Sequence, residues 1–435
     1  MAKNKLNASE RLAMLFDDSI YTELDTSDDS GARIAYGSVC GATVFAYVEG
    51  GCGGFGASSA RKLSKVYDLA AKTGSPVISV FDSEGVRLKE GMDSLKACSE
   101  ILGQCSRISG VVPQIAVVAG TCGGFESICA SLADLIVMEK DAEFFLTSDF
   151  VDNAKNGKLD EKTAEKRKNL AAVICDGEEN LFASVRKIAG MLPENNLEAA
   201  PLNDYEMPDT PCTECIVRAT FDKDSLVQLY ADKGLSSHVF LGTLNGNTVG
   251  VVRVHGTPCR GDTSKIANFV QFCDSFSIPV VTLLDSEGFL QSIKNDVSGG
   301  IKNAAILAHT LAEATTPKVT VITGSAIGSV FSVFCGKNAG ADMCFAFDNA
   351  VISALEPKAA VAVLWPEKIE SADQIEKLAA DYAKTEASAA KALDEGIVDR
   401  IIKPEETRAV LSETLDMLAS KRVTNLPKKH GVLPY

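Results

Sequence analysis

The 435-residue sequence has few histidines, a shortage of positive charge and no long apolar run. Its four histidines lie far apart in the chain, so a histidine-based metal site or catalytic triad has little to build on. They are His238, His255, His309 and His430. The formal net charge of −15 argues against a nucleic-acid-binding protein, which needs a basic face to meet phosphates. No stretch reaches about 18 consecutive apolar residues, so no membrane-spanning helix is predicted.

The amino terminus and the cysteines indicate a cytoplasmic protein. The opening MAKNKLNASERLAMLF lacks the continuous apolar segment of a secretory signal. The 13 cysteines are an odd number and lie mostly inside apolar segments, as reduced, buried thiols do. Cys212 and Cys215 have the spacing of a metal-ligand pair, but no second pair lies nearby. We therefore expect a structural role for them.

The tetrapeptide Asp-Ser-Glu-Gly occurs twice, at Asp82–Gly85 and at Asp285–Gly288, each time after Pro-Val and a short apolar run. Three further pairs of segments recur in the same order and at nearly the same offset. They are GSVCGATVFAYV with GTLNGNTVGVVRV, PQIAVVAGTCGG with PKVTVITGSAIG, and ADLIVMEKDAEFF with ADMCFAFDNAVIS. Four ordered matches predict a tandem duplication.

Each copy has the same predicted anatomy. A hairpin is followed by a helix, a buried strand that ends at Asp-Ser-Glu-Gly, another helix, a buried strand that ends at a glycine-rich turn, and a last helix and strand. Continuous apolar strands that alternate with helices are typical of an α/β fold. The first core is expected at about 30–150, and the stretch 151–235, rich in charge and turn formers, is expected to be a linker. The predicted domains are therefore 1–235 and 236–435.

The strand-end turns are the candidate site. A turn that opens a helix presents unsatisfied N–H groups at the positive end of the helix dipole. Glycine lets a ligand approach the backbone, and two converging N–H groups can stabilise a developing oxyanion. The structural alternative is that these turns are only tight connections in a sheet.

Several segments resemble the carboxyltransferase subunit of biotin-dependent acyl-CoA carboxylases and decarboxylases. DSEGVRLKEG (Asp82–Gly91) is similar to the family's Asp-Ser-Gly-Gly-Ala-Arg-x-x-Glu-Gly, and GTCGGFES (Gly120–Ser127) is similar to its Gly-Pro-Cys-Ala-Gly-Gly turn. The segment GGIKNAAILAHTLAEATTPKVTVIT (Gly299–Thr323), the opening ERLAMLFDDSIYTELD and the ending LASKRVTNLPKKHGVLPY also resemble the family. The resemblance implies two tandem crotonase-like (ClpP/crotonase) ββα-superhelix domains.

The resemblance also implies a reaction. The N-terminal domain would bind an acyl-CoA substrate and the C-terminal domain carboxybiotin, and carboxylate would move between biotin and the α-carbon of the thioester. The implied N–H donors are those of Gly124 and Phe125 for the thioester and those of Ser329 and Val330 for biotin. The implied substrate-binding residues are Gly85, Arg87, Gly123, Gly288 and Gly328. No metal is implied.

The implied partners follow from the same resemblance. The chain has no Ala-Met-Lys-Met biotinylation motif, so biotin would arrive on a separate biotin carrier protein. A biotin carboxylase or membrane decarboxylase subunits are further implied partners. The active site of the family forms across a dimer, so a homodimer or a hexamer is expected.

The sequence departs from the family at Glu84, Phe125 and Ser329, which stand where the family has glycine. Two alternatives therefore stay open: a non-catalytic assembly subunit, and a crotonase-type hydratase or isomerase. The second would need an acid or base such as Glu84, Glu90 or Glu126. For Glu126 we expect a solvated charge at a helix N-terminus. Proline at Gly124 is expected to remove a donor and leave stability nearly normal.

Overall fold

Each half of the sequence folds around a β-sheet of its own. The computed structural model describes residues 6–27, 31–51, 53–156, 166–337 and 339–434. The chain divides into two compact units, Met1–Pro201 and Leu202–Tyr435. This division lies ahead of the boundary that the sequence predicts at 235/236, so residues 202–235 group with the second unit.

The first unit opens with a helix and a three-strand meander, after which helices and strands alternate. Its elements are α1 (Ala8–Leu15), β1 (Tyr21–Asp25), β2 (Ala32–Val39), β3 (Ala42–Glu49), α2 (Ala57–Thr73), β4 (Val77–Phe81), α3 (Met92–Ile108), β5 (Gln114–Val118), β6 (Thr121–Gly123), α4 (Phe125–Ser131), β7 (Leu135–Glu139), β8 (Glu143–Phe145), α5 (Asp149–Asn156), β9 (Val173–Cys175) and α6 (Glu178–Ala189). The sheet has the order β1-β2-β3-β4-β5-β7-β9, and β6 pairs with β8. The predicted linker 151–235 thus contains β9 and α6, while its residues 157–165 lie outside the described ones.

The second unit repeats this pattern. Its elements are α7 (Ile216–Thr220), β10 (Val227–Leu229), β11 (Ser237–Leu244), β12 (Asn247–His255), α8 (Arg260–Ser275), β13 (Val280–Ser286), α9 (Ile293–Val297), α10 (Gly300–Glu313), β14 (Lys318–Ile327), α11 (Ser329–Phe334), β15 (Met343–Phe347), β16 (Val351–Ser353), α12 (Pro357–Leu364), α13 (Ala372–Thr385), α14 (Ala389–Asp394), β17 (Arg400–Ile402) and α15 (Thr407–Leu418). The sheet has the order β10-β11-β12-β13-β14-β15-β17, and β16 pairs with the end of β14.

The two sheets correspond strand for strand, which confirms the predicted duplication. In both, the first three strands are antiparallel and the following strands are parallel. The parallel strands β4, β5 and β7 are buried at every residue. Such strands need apolar side chains on both faces because helices cover both faces of the sheet. This is why the sequence shows continuous rather than alternating apolar runs.

A buried lysine recurs in the first helix of each copy. Lys62 in α2 donates to the carbonyl oxygen of Ala32 at 2.7 Å, and Lys265 in α8 donates to that of Ser237 at 2.5 Å. Both lysines are at most 1% exposed. Burial lowers the pKa of Lys265 to about 8. Each ammonium joins the helix to the start of β2 or β11, so the helix is fixed on the hairpin.

An aspartate before the hairpin organises its turn in the first copy. Asp17 follows α1, and its carboxylate accepts hydrogen bonds from the β2–β3 turn and from α6. The donors are Ser38 Oγ at 2.8 Å, Cys40 N at 3.1 Å, Gly41 N at 3.0 Å and Arg186 Nη2 at 2.7 Å. Burial alone would raise the pKa of Asp17, but these hydrogen bonds lower it to about 2.

Asp222 does the same in the second copy. Its carboxylate accepts from Thr243 Oγ1 at 2.6 Å and from Arg408 Nη2 of α15 at 2.6 Å, and it accepts from the turn residues Asn245 N at 3.0 Å and Gly246 N at 2.9 Å. The sequence carries a signal for this pair, because Phe-Asp precedes the hairpin in both copies, at positions 16–17 and 221–222. The repeat therefore begins before residue 221, which explains why the unit boundary lies ahead of 235.

We expect Asp222→Asn to destabilise the second unit by about 3 kcal/mol, because it leaves the Arg408 guanidinium, which is only 12% exposed, without its anion. The free energy of unfolding in urea measures the effect. Glu214→Gln is the matched control, since the Glu214 side chain is exposed and its loss should change stability by less than about 0.5 kcal/mol. Equal urea midpoints for the two variants would contradict this role of Asp222.

Candidate active site

The aspartate of each Asp-Ser-Glu-Gly motif fits against a glycine that lies in the next strand or just after it. Asp82 Oδ1 accepts the N–H of Thr121 at 3.1 Å, and Asp285 Oδ1 accepts the N–H of Ser325 at 2.8 Å. A Cβ at Gly120 would lie 2.0 Å from Asp82 Oδ1, and one at Gly324 would lie 2.2 Å from Asp285 Oδ1. The two repeated motifs are thus one structural unit: the carboxylate occupies the space that the glycine leaves free.

The two aspartates have different cations beside them. Asp82 accepts from Arg11 of α1 at 2.9 Å, and this fully buried guanidinium also donates to Glu178 of α6 at 2.8 Å and to the carbonyl oxygen of Glu49 at 2.7 Å. Asp285 instead contacts the exposed ring of His255, with 3.1 Å between Oδ2 and Nδ1. The first turn is therefore fixed by a buried ion network, and the second is open to solvent.

The glycine of each motif bends the chain outward. Gly85 and Gly288 have φ of 93° and 127°, and their N–H groups donate to the hydroxyl two residues earlier, Ser83 at 3.1 Å and Ser286 at 3.3 Å. The predicted substrate-binding residues Gly85 and Gly288 thus shape the turn and do not offer an N–H.

The residue that follows each of these glycines offers the N–H instead. Phe55 N donates to the carbonyl oxygen of Gly85, and Arg87 N donates to the carbonyl oxygen of Phe55, both at 2.8 Å. These two hydrogen bonds, on either side of Val86, form a parallel bridge between Phe55 and Val86. In such a parallel bridge the N–H of Val86 itself points away from Phe55. In the second copy Leu290 N donates to the Pro258 carbonyl oxygen at 3.0 Å. Within the described residues, the N–H groups of Val86 and Phe289 have no hydrogen-bond acceptor.

At the glycine-rich turn that opens α4, one predicted donor is wrong. Gly124 has φ of 59° and ψ of −119°, and its N–H donates to the carbonyl oxygen of Phe145 at 2.9 Å. Gly328, with φ of 64°, donates to Ser353 at 2.8 Å in the same way. The Gly124 N–H is therefore not available to a ligand. Proline cannot adopt this φ, so the expectation of normal stability for Gly124→Pro is also wrong.

The available N–H groups are those of the first helical residues, Phe125 in α4 and Ser329 in α11. Gly124 corresponds to Gly328 and Phe125 to Ser329, so the predicted pair Ser329 and Val330 is one residue out of register with the first copy. Val330 corresponds to Glu126, and its side chain is fully buried in the core. The first helical residue of each turn, Phe125 or Ser329, thus offers a free N–H, and the Val330 N–H stays a predicted donor.

In the second unit both turns line one cavity of about 600 Å³. The predicted residues Gly288, Gly328 and Ser329 lie on its wall. The remaining lining residues are Glu287, Phe289, Leu290, Gln291, Ser292, Ile293, Asp296, Ile327, Ala354, Leu355 and Glu356. This volume is in the range of a small-molecule site, and the wall combines apolar side chains with the free N–H groups of Phe289 and Ser329.

In the first unit the turn is covered by aromatic side chains. The Phe125 ring packs on Phe55 with 5.3 Å between centroids, and the predicted Gly123 lies against Phe145, whose ring would be 2.6 Å from a Cβ. A cavity of about 560 Å³ lies beyond α4 and β8, and none of the predicted site residues lines it. The predicted Arg87 approaches Glu90, with 3.6 Å between Nη1 and Oε1.

The three side chains that could serve as the acid of a hydratase lie in three different environments. Glu84 is exposed. Glu90 accepts the N–H of Ala57 at 2.6 Å and so caps α2. Glu126 is fully buried and accepts from Ser83 Oγ at 2.5 Å, so the expectation of a solvated helix charge is wrong. The first turn of α4 directs this side chain inward, toward the ends of β3 and β4.

Sequence reasoning missed the partner of Glu126. Glu49 at the end of β3 is 4% exposed, and it accepts from Tyr47 Oη at 2.6 Å and from Asp82 N at 2.8 Å. Burial, together with the charge of Glu49, raises the pKa of Glu126 to about 9. A carboxylate at the end of an otherwise apolar strand, in AYVEGG, was the available signal.

The described residues contain no cluster of His, Cys, Asp and Glu side chains that could hold a metal ion. Cys215 forms the N-cap of α7, and Cys212 Sγ lies 3.7 Å from Glu405 Oε1. No helix in the described part of the chain is long and apolar enough to cross a membrane. What each copy offers chemically is a free backbone N–H at each of its two turns, a group that can donate to an oxygen that gains negative charge.

Comparisons with known proteins agree with this chemistry. A family model described as carboxyl transferase domain matches residues 2–433. Methylmalonyl-CoA decarboxylase subunit alpha of Veillonella parvula is 31% identical, over 100% of this chain and 94% of the relative. The carboxyltransferase subunit of propionyl-CoA carboxylase from Haloferax mediterranei is 32% identical, over 99% of this chain and 94% of the relative.

Solved structures confirm the predicted fold class of two tandem crotonase-like domains. The crystal structure of transcarboxylase 12S, described as a hexamer assembly with hydrolysed methylmalonyl-coenzyme A bound, superposes with a TM-score of 0.92. It is 27% identical, and the match covers 99% of this chain and 93% of that one. A single-chain, multi-domain long-chain acyl-CoA carboxylase shares the fold at a TM-score of 0.79 and 17% identity.

The contact between aspartate and glycine can be tested with alanine. We expect Gly324→Ala to destabilise the protein by about 1–3 kcal/mol, because its Cβ would overlap the Asp285 carboxylate. Gly103→Ala is the matched control: Gly103 lies inside α3 with nothing near its added Cβ, so alanine should be stabilising by about 0.5–1 kcal/mol. Thermal unfolding of both variants measures the difference, and destabilisation by Gly103→Ala of the same size would refute the steric argument.

Proposed function

The chain belongs to the carboxyl transferase family, and from this premise we propose that it moves carboxylate between the α-carbon of an acyl-CoA thioester and biotin on a separate carrier protein. The observation that carries the proposal is the duplicated pair of free backbone donors, Val86 with Phe125 and Phe289 with Ser329. Two half-reactions that each place negative charge on one oxygen need two such pairs.

The first unit is proposed to bind the thioester. When the bond between the α-carbon and its carboxylate breaks, carbon dioxide leaves and the electron pair passes to the thioester oxygen. The N–H groups of Val86 and Phe125 donate to that oxygen and stabilise the enolate. In the reverse direction the enolate carbon attacks carbon dioxide, and the same donors release the neutral thioester. No side-chain nucleophile is required, which agrees with the scarcity of histidine.

The second unit is proposed to receive biotin, whose ureido nitrogen would form the bond to carbon dioxide and lose its proton, and that proton would pass to the enolate carbon. The cavity of the second unit fits such a group, because it joins apolar side chains to two free donors. Phe289 and Leu290 would contact the ring, and the N–H groups of Phe289 and Ser329 would hold the ureido oxygen.

The relatives point to the substrate class. Those named above act on methylmalonyl-CoA or propionyl-CoA by their names, so we propose a short-chain acyl-CoA as the substrate of this chain. The same names suggest a biotin carrier protein as partner, together with a biotin carboxylase or membrane decarboxylase subunits.

The alternatives have less support. The hydratase reading depends on Glu84, Glu90 or Glu126 as an acid, yet these side chains are respectively exposed, engaged as a helix cap and buried. The assembly-subunit reading depends on lost glycines. The replaced residues Phe125 and Ser329 keep the backbone N–H that the reaction needs, so their side chains do not remove activity by themselves.

We also propose that the chain assembles with further copies of itself. Leu88 and Met92 follow the first Asp-Ser-Glu-Gly turn, Ile293 and Val297 follow the second, and all four are 80–89% exposed in the single chain. Apolar side chains in such a position are typical of an interface. The similar transcarboxylase 12S is described as a hexamer.

Proline at the first helical residue tests the donors. Phe125→Pro and Ser329→Pro each remove one N–H at a position where proline is compatible with a helix. Each should lower carboxyl transfer by roughly 10²–10³, as loss of one oxyanion donor does. The measurement is transfer of labelled carboxylate from methylmalonyl-CoA to free biotin. Ser329→Pro should leave thioester affinity, measured by calorimetry, unchanged.

Alanine variants are the matched controls. Phe125→Ala loses the ring contact with Phe55 but keeps the N–H, and Ser329→Ala keeps its N–H as well, so both should transfer carboxylate far better than the proline variants. Transfer by each proline variant at the rate of its alanine counterpart would rule out these donors.

Assembly is tested by sedimentation velocity. The unaltered chain should sediment above its monomer mass of 46.0 kDa, and Val297→Asp should shift it toward the monomer, because a charge is costly in an apolar interface. Leu197→Asp is the control, since Leu197 is 90% exposed and lies far along the chain from both turns. A monomeric unaltered chain at micromolar concentration would contradict the assembly.

A further inference from the structure

A pair of buried carboxyl groups lies beneath the first Asp-Ser-Glu-Gly turn. Glu49 and Glu126 are 4% and 0% exposed. Glu126 Oε2 accepts from Ser83 Oγ at 2.5 Å, and Ser83 Oγ in turn accepts the N–H of Gly85 at 3.1 Å. Glu49 Oε2 accepts the N–H of Asp82 at 2.8 Å. The two carboxyl groups therefore contact the turn directly at Asp82 and Ser83, and through Ser83 they reach Gly85, which precedes the donor residue Val86.

The second copy builds the same turn without these acids. Val80 and Leu283 both lie two residues before the motif aspartate, and they pair with Val48 and Arg253. Val48 therefore corresponds to Arg253, and the next residue, Glu49, corresponds to Val254. Glu126 corresponds to Val330, and Tyr47 corresponds to Val252. These three valines are at most 1% exposed. Valine at these positions is compatible with the fold, so the fold itself does not require the acid pair.

The surroundings of Glu126 favour a neutral carboxyl group. The groups that face it are Glu49 and Tyr47 of β3, Asp82 and Ser83 after β4, Cys98 of α3 and Cys122 of β6. None of these side chains is a cation. The buried Arg11 guanidinium contacts Asp82 and the Glu49 carbonyl oxygen. Burial, followed by the Glu49 charge, raises the pKa of Glu126 to about 9, and burial also raises the pKa of Glu49.

We propose, on the basis of the proposed function, that Glu126 is a positioning residue for the acyl-CoA half of the site: its protonated carboxyl group, buried beside Glu49, fixes Ser83 and through it the turn that aims the Val86 donor. Glu126 is too deeply buried to touch a substrate. Its action is on the geometry of the thioester oxyanion hole, and the biotin half, with valine in its place, has no such dependence.

The proposal predicts a specific response to pH. Loss of the Glu126 proton adds a negative charge beside Glu49 and Asp82, which disturbs the turn. The pKa of Glu126 in the folded state is about 9, above its ordinary value of 4.5. The contribution of the protonated group to stability is therefore complete below pH 4.5 and is lost as the pH rises through about 9. Carboxyl transfer by the unaltered chain should therefore fall in the same alkaline range.

Two substitutions of Glu126 separate positioning from simple packing. Glu126→Gln keeps a neutral group that can hydrogen bond with Ser83, so it should transfer carboxylate within about two-fold of the unaltered chain and lose the alkaline fall. Glu126→Val, the residue of the second copy, should lower kcat by roughly ten-fold through loss of the Ser83 contact. Glu100→Gln, which removes an exposed carboxylate of α3, is the control and should keep both the rate and the alkaline fall.

Each outcome of these experiments either supports or overturns the positioning role of Glu126. An alkaline fall that persists in Glu126→Gln, or a kcat of Glu126→Val equal to that of the unaltered chain, would overturn the positioning role. Should Glu126→Val not fold, the pH profile of Glu126→Gln decides alone. If the unaltered chain binds methylmalonyl-CoA but transfers no carboxylate, the proposed function fails. Thioester affinity against pH then decides the inference: alkaline weakening that Glu126→Gln lacks supports it, and identical profiles overturn it.

Discussion

The contact between a carboxylate and a glycine that lacks a side chain sets the geometry of both halves of this protein. The carboxylate of Asp82 lies against Gly120 and accepts the N–H of the following residue, Thr121. In the second copy the carboxylate of Asp285 lies against Gly324 and accepts the N–H of Ser325. This bond fixes where the second strand stops and where its glycine-rich turn begins. The first helical N–H after that turn is therefore at a defined distance from the turn after the aspartate. The donors are backbone groups, so they are as rigid as the sheet that carries them.

The two copies share this frame and differ in what lies beneath it. In the first, a buried arginine and two buried carboxyl groups surround the turn, and an aromatic pair covers it. In the second, valines fill the interior and an exposed histidine accompanies the aspartate. A duplicated fold can diverge in this way because the same backbone frame is compatible with different interior side chains, charged in one copy and apolar in the other.

Much of the fold could be predicted from the sequence, since apolar strand runs and repeated motifs report the parallel sheet directly. The strand ends at Asp82 and Asp285 were located correctly for the same reason. The donors were harder to predict. Whether the N–H of Gly124 is free depends on a carbonyl group 21 positions later, at Phe145, and no local pattern reports this pairing. The burial of Glu126 was missed because a glutamate in a first helical turn is ordinarily a solvated charge, and only the tertiary position of Glu49 reverses that expectation. The early limit of the second unit was missed although Phe-Asp at 221–222 repeats Phe-Asp at 16–17.

Each sheet is built from one continuous part of the sequence, and this has a consequence for synthesis on the ribosome. The last strand of the first sheet is complete at residue 175, and the second sheet begins at residue 227. No strand is exchanged between them among the described residues, so the first sheet can close while the second is still being translated. A tandem repeat otherwise risks pairing a strand of one copy with the partner of the other. Here translation order separates the two sets of strands in time, and the acidic interior of the first copy differs from the valine interior of the second, so a wrongly paired strand would leave a carboxyl group without its partners.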